Sequence, residues 1–264
     1  MEKRQDRQTG GGAVTERGKW QGMWSIVRFN WPFYATAVVL LLAALGGISI
    51  IQIPLVKLGC GLALAGSAYF LIGSLGVSHL VYDRSDLYRW KWLERALGGA
   101  KRGRMILCHS GFDEVSADLR ERLSGTAWEL LDHYDEALMT EASIRRARKR
   151  YPPAEFTKAA PFNQWPVRTG SADVVFGLLA IHELRSEAER IEWFTEAKRC
   201  LLPDGRVVLA EHTRDIANFL AFGPGFLHFH SPASWRRCWE NAGFRLTDEF
   251  RVTPWVRIFV VSPA

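Results

Sequence analysis

Histidines and carboxylates fall side by side in the second half of the chain, as His182-Glu183, Glu211-His212 and His228-Phe229-His230. A histidine is the side chain best placed to take or give a proton near neutral pH. His182 is therefore the candidate catalytic base; the alternative is a capping or packing role at a helix start. Glu211, His212, His228 and His230 form a candidate substrate-facing cluster, or else the histidines make ordinary loop hydrogen bonds. No carboxylate–histidine motif at helical spacing and no CxxC pair accompanies them, so no metal is expected. The four cysteines, Cys60, Cys108, Cys200 and Cys238, are scattered and read as reduced thiols.

The elements that must position these groups can be read from Ser171 to His212. Asp173 opens an apolar run, Val174-Val175-Phe176-Gly177, that suits a buried strand. Leu184, Ala188, Ile191, Phe194, Ala197 and Leu201 then recur every three or four residues, the period of a helix. Pro203-Asp204-Gly205 is expected to stop that helix and turn the chain. Arg206 to Ala210 reads as the next strand. A strand–helix–strand unit of this length is a right-handed crossover between parallel strands.

The run SADVVFGLLAIHEL followed by EAKRCLLPDGRVVLAEH resembles the second half of class I S-adenosylmethionine-dependent methyltransferases (domain type 11/25). Asp173-Val174-Val175, Arg199 to Leu202 and Pro203-Asp204-Gly205 keep that family's order and spacing. Trp165-Pro166 stands where the family has its preceding segment. The resemblance covers about residues 105–261 and implies an α/β, Rossmann-like, seven-stranded sheet.

Strands are expected at 104–108, 128–131, 156–159, 173–177, 206–210, 244–250 and 255–261. Helices are expected at 114–123, 136–149 and 231–242, the last with Ser231 as N-cap and Pro232 at its first position. Ligands of open α/β sheets bind beyond the C-terminal strand ends. The resemblance therefore implies S-adenosyl-L-methionine as cofactor, held by Cys108, Ser110, Gly111, Asp132, His133, Phe162, Gly177 and Leu178. Asp132 would accept from the ribose hydroxyls. The turn after the first strand, Cys108 to Asp113, keeps only Gly111 of the family's glycines. A working variant turn and a degenerate pocket both stay open. The second reading makes the chain a non-catalytic membrane-bound module that binds a ligand or a protein.

The front of the chain differs. Residues 1–104 carry a net charge of +8 and residues 105–264 a net −2, within a total of +6. Residues 1–28 read as a flexible basic tail. No Asp, Glu, Lys or Arg occurs from Phe29 to Val56, or from Leu58 to Tyr82. About 20 apolar residues span a bilayer, so residues 29–82 read as a two-helix transmembrane hairpin turning around Gln52 to Lys57. Lysine and arginine cluster before and after it, which predicts both termini and the globular domain on the cytoplasmic side of the cell membrane. Aromatics at both ends suit interfacial belts. The stretch 83–104 is a basic, aromatic linker; Tyr82 to Leu97 is either an amphipathic helix in the headgroup layer or a cover for the domain edge. Beside a membrane span this basic character argues for lipid and against nucleic acid.

Between Thr213 and His230 the chain carries Phe219, Leu220, Phe222, Phe226, Leu227 and Phe229. So apolar a segment, with Phe222 a candidate substrate contact and Gly223-Pro224-Gly225 a hinge, fits a lid over a small lipophilic acceptor.

Overall fold

The computed structural model describes residues 17–264, and the expected tail is outside the described residues up to position 16. Residues 105–264 form the expected Rossmann-like α/β domain. Its seven strands are β1 (Arg104–His109), β2 (Ala127–Asp132), β3 (Lys158–Ala159), β4 (Ala172–Leu178), β5 (Leu201–His212), β6 (Phe244–Thr253) and β7 (Val256–Pro263), in the order β3-β2-β1-β4-β5-β7-β6. Strands β1 to β5 are parallel and β7 is antiparallel between β5 and β6. β1 and β4 are apolar on both faces, as strands covered on both sides must be.

One face of the sheet is covered by α7 (Glu187–Cys200) and α9 (Pro232–Asn241), which bury Trp193, Phe194, Trp235 and Trp239. Ser186 opens α7 with a reciprocal capping box to Glu189, and Ser231 caps α9 by accepting from the Ser234 amide. The other face receives Trp90, Trp92 and the short helix α4 (Leu93–Leu97), together with α5 (Ser116–Arg122). Tyr82 to Leu97 is thus not an amphipathic helix in a headgroup layer. Fully burying one large apolar side chain stabilises by about 1.5–3 kcal/mol, and Trp90, Trp92, Leu93 and Leu97 are all buried against the sheet.

Other expectations are corrected by local chemistry. The helix expected from Glu136 begins only at Ala142, as α6 (Ala142–Arg150), because Asp135 turns the chain and accepts from the Ala137 amide. The third strand shrinks to two residues. Pro203-Asp204-Gly205 lies inside β5 and is absorbed by a register shift opposite β4, where Ala172 pairs with Leu201. The apolar lid is a short helix, α8 (Ile216–Phe222), capped by Asp215, followed by a 3-10 turn (Gly223–His228).

Two helices at the front, α2 (Trp31–Ile50) and α3 (Pro54–His79), are long and apolar enough to cross a membrane. Their turn is shorter than expected: Pro54 already starts α3, and Lys57 lies within it, donating to Gln52. Residues 21–29 are no tail but a helix, α1 (Gln21–Phe29). Asp83, in a π-helical turn after α3 (Leu80–Arg84), accepts from the Gly22 and Met23 amides at 2.6 and 3.1 Å. Position 22 must be glycine for this approach, since a Cβ there would sit 2.3 Å from Tyr82 Cβ. At its other end, Arg146 of α6 donates to the Phe29 carbonyl.

Losing a helix N-cap costs about 1 kcal/mol, up to about 2. Asp83→Ala should therefore raise amide exchange of residues 21–29 roughly 5–30-fold in hydrogen-exchange measurements on the detergent-solubilised chain. Unchanged exchange would show that α1 is held from Arg146 alone.

Candidate functional site

The C-terminal ends of β1, β4 and β5 open into a cavity of about 650 Å³, a size usual for small-molecule sites. Its floor is polar. β1 ends in His109, followed by Ser110 and Gly111; β4 ends in Leu178, followed by Leu179. Leu179 has φ +53°, a left-handed conformation that costs a bulky residue energy. Its amide donates to the Ala210 carbonyl at 2.8 Å, and the chain then doubles back into the turn carrying His182.

That turn is organised by Glu211, which is fully buried. Its Oε1 accepts from the amides of Ala180, Ile181 and His182 at 3.2, 2.9 and 3.3 Å. Its Oε2 accepts from His182 Nδ1 at 2.6 Å, which leaves Nε2 facing the cavity. Burial alone would lower the His182 pKa, but the Glu211 carboxylate outweighs it and holds the imidazole above its ordinary value. Glu183 shows the converse: burial would raise it, yet His228 and His182 bring its carboxyl below the ordinary value.

The roof comes from the other end of the chain. Phe29 of α1, Phe33 and Tyr34 of α2, and Phe70 and Ser74 of α3 line the same cavity, as do Tyr82 and Tyr88. Tyr34 and Ser74 share a buried hydrogen bond of 3.3 Å between the two long helices. Glu114 closes the seam below, accepting from Tyr88 at 2.7 Å and pairing with Arg17 at 2.7 Å. Burial, and then the charge of Glu114, pushes the Tyr88 phenol well above its ordinary range.

A family model described as a methyltransferase domain matches residues 132–209. Residues 105–264 have the Rossmann-like, seven-stranded fold of class I methyltransferases. A SAM-dependent methyltransferase from Aquifex aeolicus superposes with a TM-score of 0.50 at 16% identity, over 68% of this chain and 90% of that one. A SAM-dependent methyltransferase from Leishmania major gives 0.46 at 13%, over 74% and 80%. No curated protein matches the sequence. That Aquifex aeolicus protein depends on S-adenosylmethionine.

The side chains of this cavity fit such a cofactor at one end of the cradle. Both ring nitrogens of His109 and the Ser110 hydroxyl are buried, these residues line the cavity, and the three atoms have no hydrogen-bond partner among the described residues. His109 Nδ1 lies 3.4 Å from Asp132 without hydrogen-bond alignment. Unpaired polar atoms in a buried wall are costly unless something polar meets them. At the other end the cradle is covered by the chain itself. Asp132 is buried, accepts from the Gly111 and Tyr134 amides, and is paired with Arg148 of α6. Gly111, at φ +87°, has Tyr134 packed upon it: a Cβ there would meet the ring at 2.7 Å.

Of the residues singled out in the sequence, Cys108, Ser110, Leu178, His182, His212, Phe222 and His228 line the cavity. His212 has no free nitrogen: Nδ1 faces Asn218 and the Trp255 carbonyl, and Nε2 accepts from Tyr82 at 2.8 Å. Burial lowers its pKa to about 4.

Others do not line the cavity: Gly111 and Asp132 are covered by Tyr134 and Arg148, and four more turn away. His133 turns into the core, donating to the Ala160 carbonyl and accepting from Trp193. Phe162 packs on the core cluster. Gly177 lies beneath Ile181, 2.5 Å from where its Cβ would be. His230 is held by Arg190 at 2.9 Å and stands edge-on to Trp235. His109 and Glu183 were not singled out for the site; Glu211 was, but as a member of the substrate-facing cluster and not as the carboxylate that fixes the turn of His182.

His133 is buried neutral, with its pKa lowered to about 4 by burial. The unfolded imidazole titrates near 6.5. Between those values the unfolded state binds one more proton, so stability falls as pH drops from about 6.5 to about 4, by on the order of 3 kcal/mol. His212, lowered alike, and His230 add to the decline, so thermal melts across that range should show it and His133→Gln, which can keep both hydrogen bonds, should make it less steep. An equal slope in the variant would place the titration elsewhere.

Proposed function

We propose that the chain is a membrane-anchored methyltransferase acting on a small lipophilic acceptor. The observation that supports this reading is the continuity of the cavity. One end is the polar strand-end floor at His109, Ser110 and His182; the other is walled by Phe33, Tyr34 and Phe70 of the two long apolar helices. Those helices expose side chains such as Val39, Leu42 and Leu62 along their flanks, which suits lipid. The charge bias puts the domain on the cytoplasmic side. α8 lies against α3, with Tyr69 donating to the Leu220 carbonyl, and it exposes Ile216, Phe219 and Leu220. In this reading those side chains dip into the bilayer surface, and an acceptor passes from lipid between α2 and α3 toward His182.

Bound at the floor, S-adenosylmethionine supplies a methyl group on an electron-poor sulfur. The chain's part is mostly positioning, because in-line transfer needs aligned partners more than a strong base. Ser110 and His109 offer hydrogen bonds to polar groups of the cofactor. Asp132 takes its ribose hydroxyls once Arg148 withdraws. Tyr34, Phe33 and Phe70 exclude water from the acceptor. Glu211 fixes His182 with Nε2 inward, where it accepts a proton from an acceptor hydroxyl or amine. The covering of Gly111 by Tyr134 and of Asp132 by Arg148 favours a second reading, a non-catalytic ligand-binding module.

Calorimetry of the full chain in nanodiscs separates the two. S-adenosylhomocysteine should bind. Asp132→Asn keeps the acceptor atom for the Gly111 and Tyr134 amides and should weaken binding about tenfold, the loss of a hydrogen bond to a charged group. Absence of binding by the parent chain favours the second reading.

His182→Gln should lower methyl transfer from labelled cofactor to a membrane-lipid extract by about 100-fold or more, with the S-adenosylhomocysteine affinity unchanged. Full transfer by the variant would remove His182 from the chemistry. A cysteine placed at Lys57, in a background lacking Cys60, should react only with reagent outside the cell. Labelling from the cytosolic side would overturn the topology.

A further inference from the structure

We propose that His182, Glu183 and His228 form a binding site for one divalent transition-metal ion, open toward the cavity. Glu183 Oε1 lies 3.6 Å from His182 Nε2 and 3.4 Å from His228 Nε2, and the three ligand atoms all fall within 4.8 Å of one another. These separations are long for hydrogen bonds between the same atoms. They match the edge of a coordination tetrahedron: ligands at about 2.1 Å from a zinc-like ion stand about 3.4 Å apart.

The surroundings agree with an ion. His182 gives its other nitrogen to Glu211 at 2.6 Å, the carboxylate–histidine arrangement that orients imidazoles toward metals. His228 Nδ1 lies 3.7 Å from Glu141 and 3.4 Å from Arg185 Nη1. Glu183 is buried, and apart from Arg185 the groups around its carboxylate are these two imidazoles, which a cation bound between them would replace as its partner.

Two imidazoles and one carboxylate suit zinc and its first-row neighbours better than calcium or magnesium, which prefer oxygen alone. Three protein ligands leave a fourth position, and the cavity lies on that side. An oxygen of the acceptor could occupy it. The ion and a proton compete for His182 Nε2, so metal uptake should release protons. The ion would occupy the same Nε2 that the methyl-acceptor reading uses as proton acceptor, so a loaded site replaces His182 as base; its filling is nonetheless tested with no cofactor or acceptor present.

The full chain in detergent, stripped with chelator, should take up one Co²⁺ per chain with visible absorption bands of a low-coordinate site, and Zn²⁺ should displace it. Glu183→Gln and His228→Gln should each weaken Co²⁺ binding at least tenfold while the melting temperature of the metal-free chain stays within a few degrees. His133→Gln, remote from the cluster, should bind as the parent does. No uptake at micromolar Co²⁺, or uptake that the Glu183 and His228 variants leave unchanged, overturns the proposal. A chain that binds cobalt but not S-adenosylhomocysteine would retain the metal site and lose the methyltransferase reading.

Discussion

The site depends on one buried carboxylate. Glu211 lies next to last in β5 with no exposure to solvent, and an ionised group so placed is tolerable only when its oxygens are fully engaged. Three consecutive amides and one imidazole do this. The same contacts fix the turn after β4, hold Leu179 in its left-handed conformation beside Ala210, and set the direction of His182. Replacing Glu211 by an apolar residue would leave four donors buried without partners. The loss would far exceed a single hydrogen bond.

Much of the fold was legible because it rests on short-range rules. The alternation of apolar runs with helical periodicity located β4, α7 and β5 to within a few residues, and Ser231-Pro232 marked the start of α9. The sequence misled where one element answers to another far away. Residues 21–28 look like a tail because nothing local makes them helical; the partner that caps them, Asp83, is sixty positions on. Tyr82 to Leu97 looks like an interfacial helix because its tryptophans are as suited to a headgroup layer as to a sheet face. Only the exposed apolar sheet decides between them.

The site was less legible for the same reason. Strand ends could be counted, so Ser110, Leu178 and His182 were found. Which way a side chain turns at a strand end depends on its neighbours. His133 follows Asp132 directly, yet Trp193 and Ala160 draw it inward, while His109, one strand over, is left facing the cavity. Glu183 and His228 are forty-five positions apart and meet only because α8 and its 3-10 turn fold back over the turn after β4.

The roof built by α1, α2 and α3 has a consequence of its own. A fragment starting at the domain boundary would lack Phe29, Tyr34 and Tyr82 and would present an open bowl to water. The hairpin is therefore a wall of the cavity, whatever else it does. Under the membrane reading, the acceptor is dissolved in two dimensions and reaches His182 without entering the aqueous phase. Turnover would then follow the mole fraction of acceptor among the surrounding lipids, and diluting the bilayer with inert lipid would slow the reaction even at constant bulk concentration.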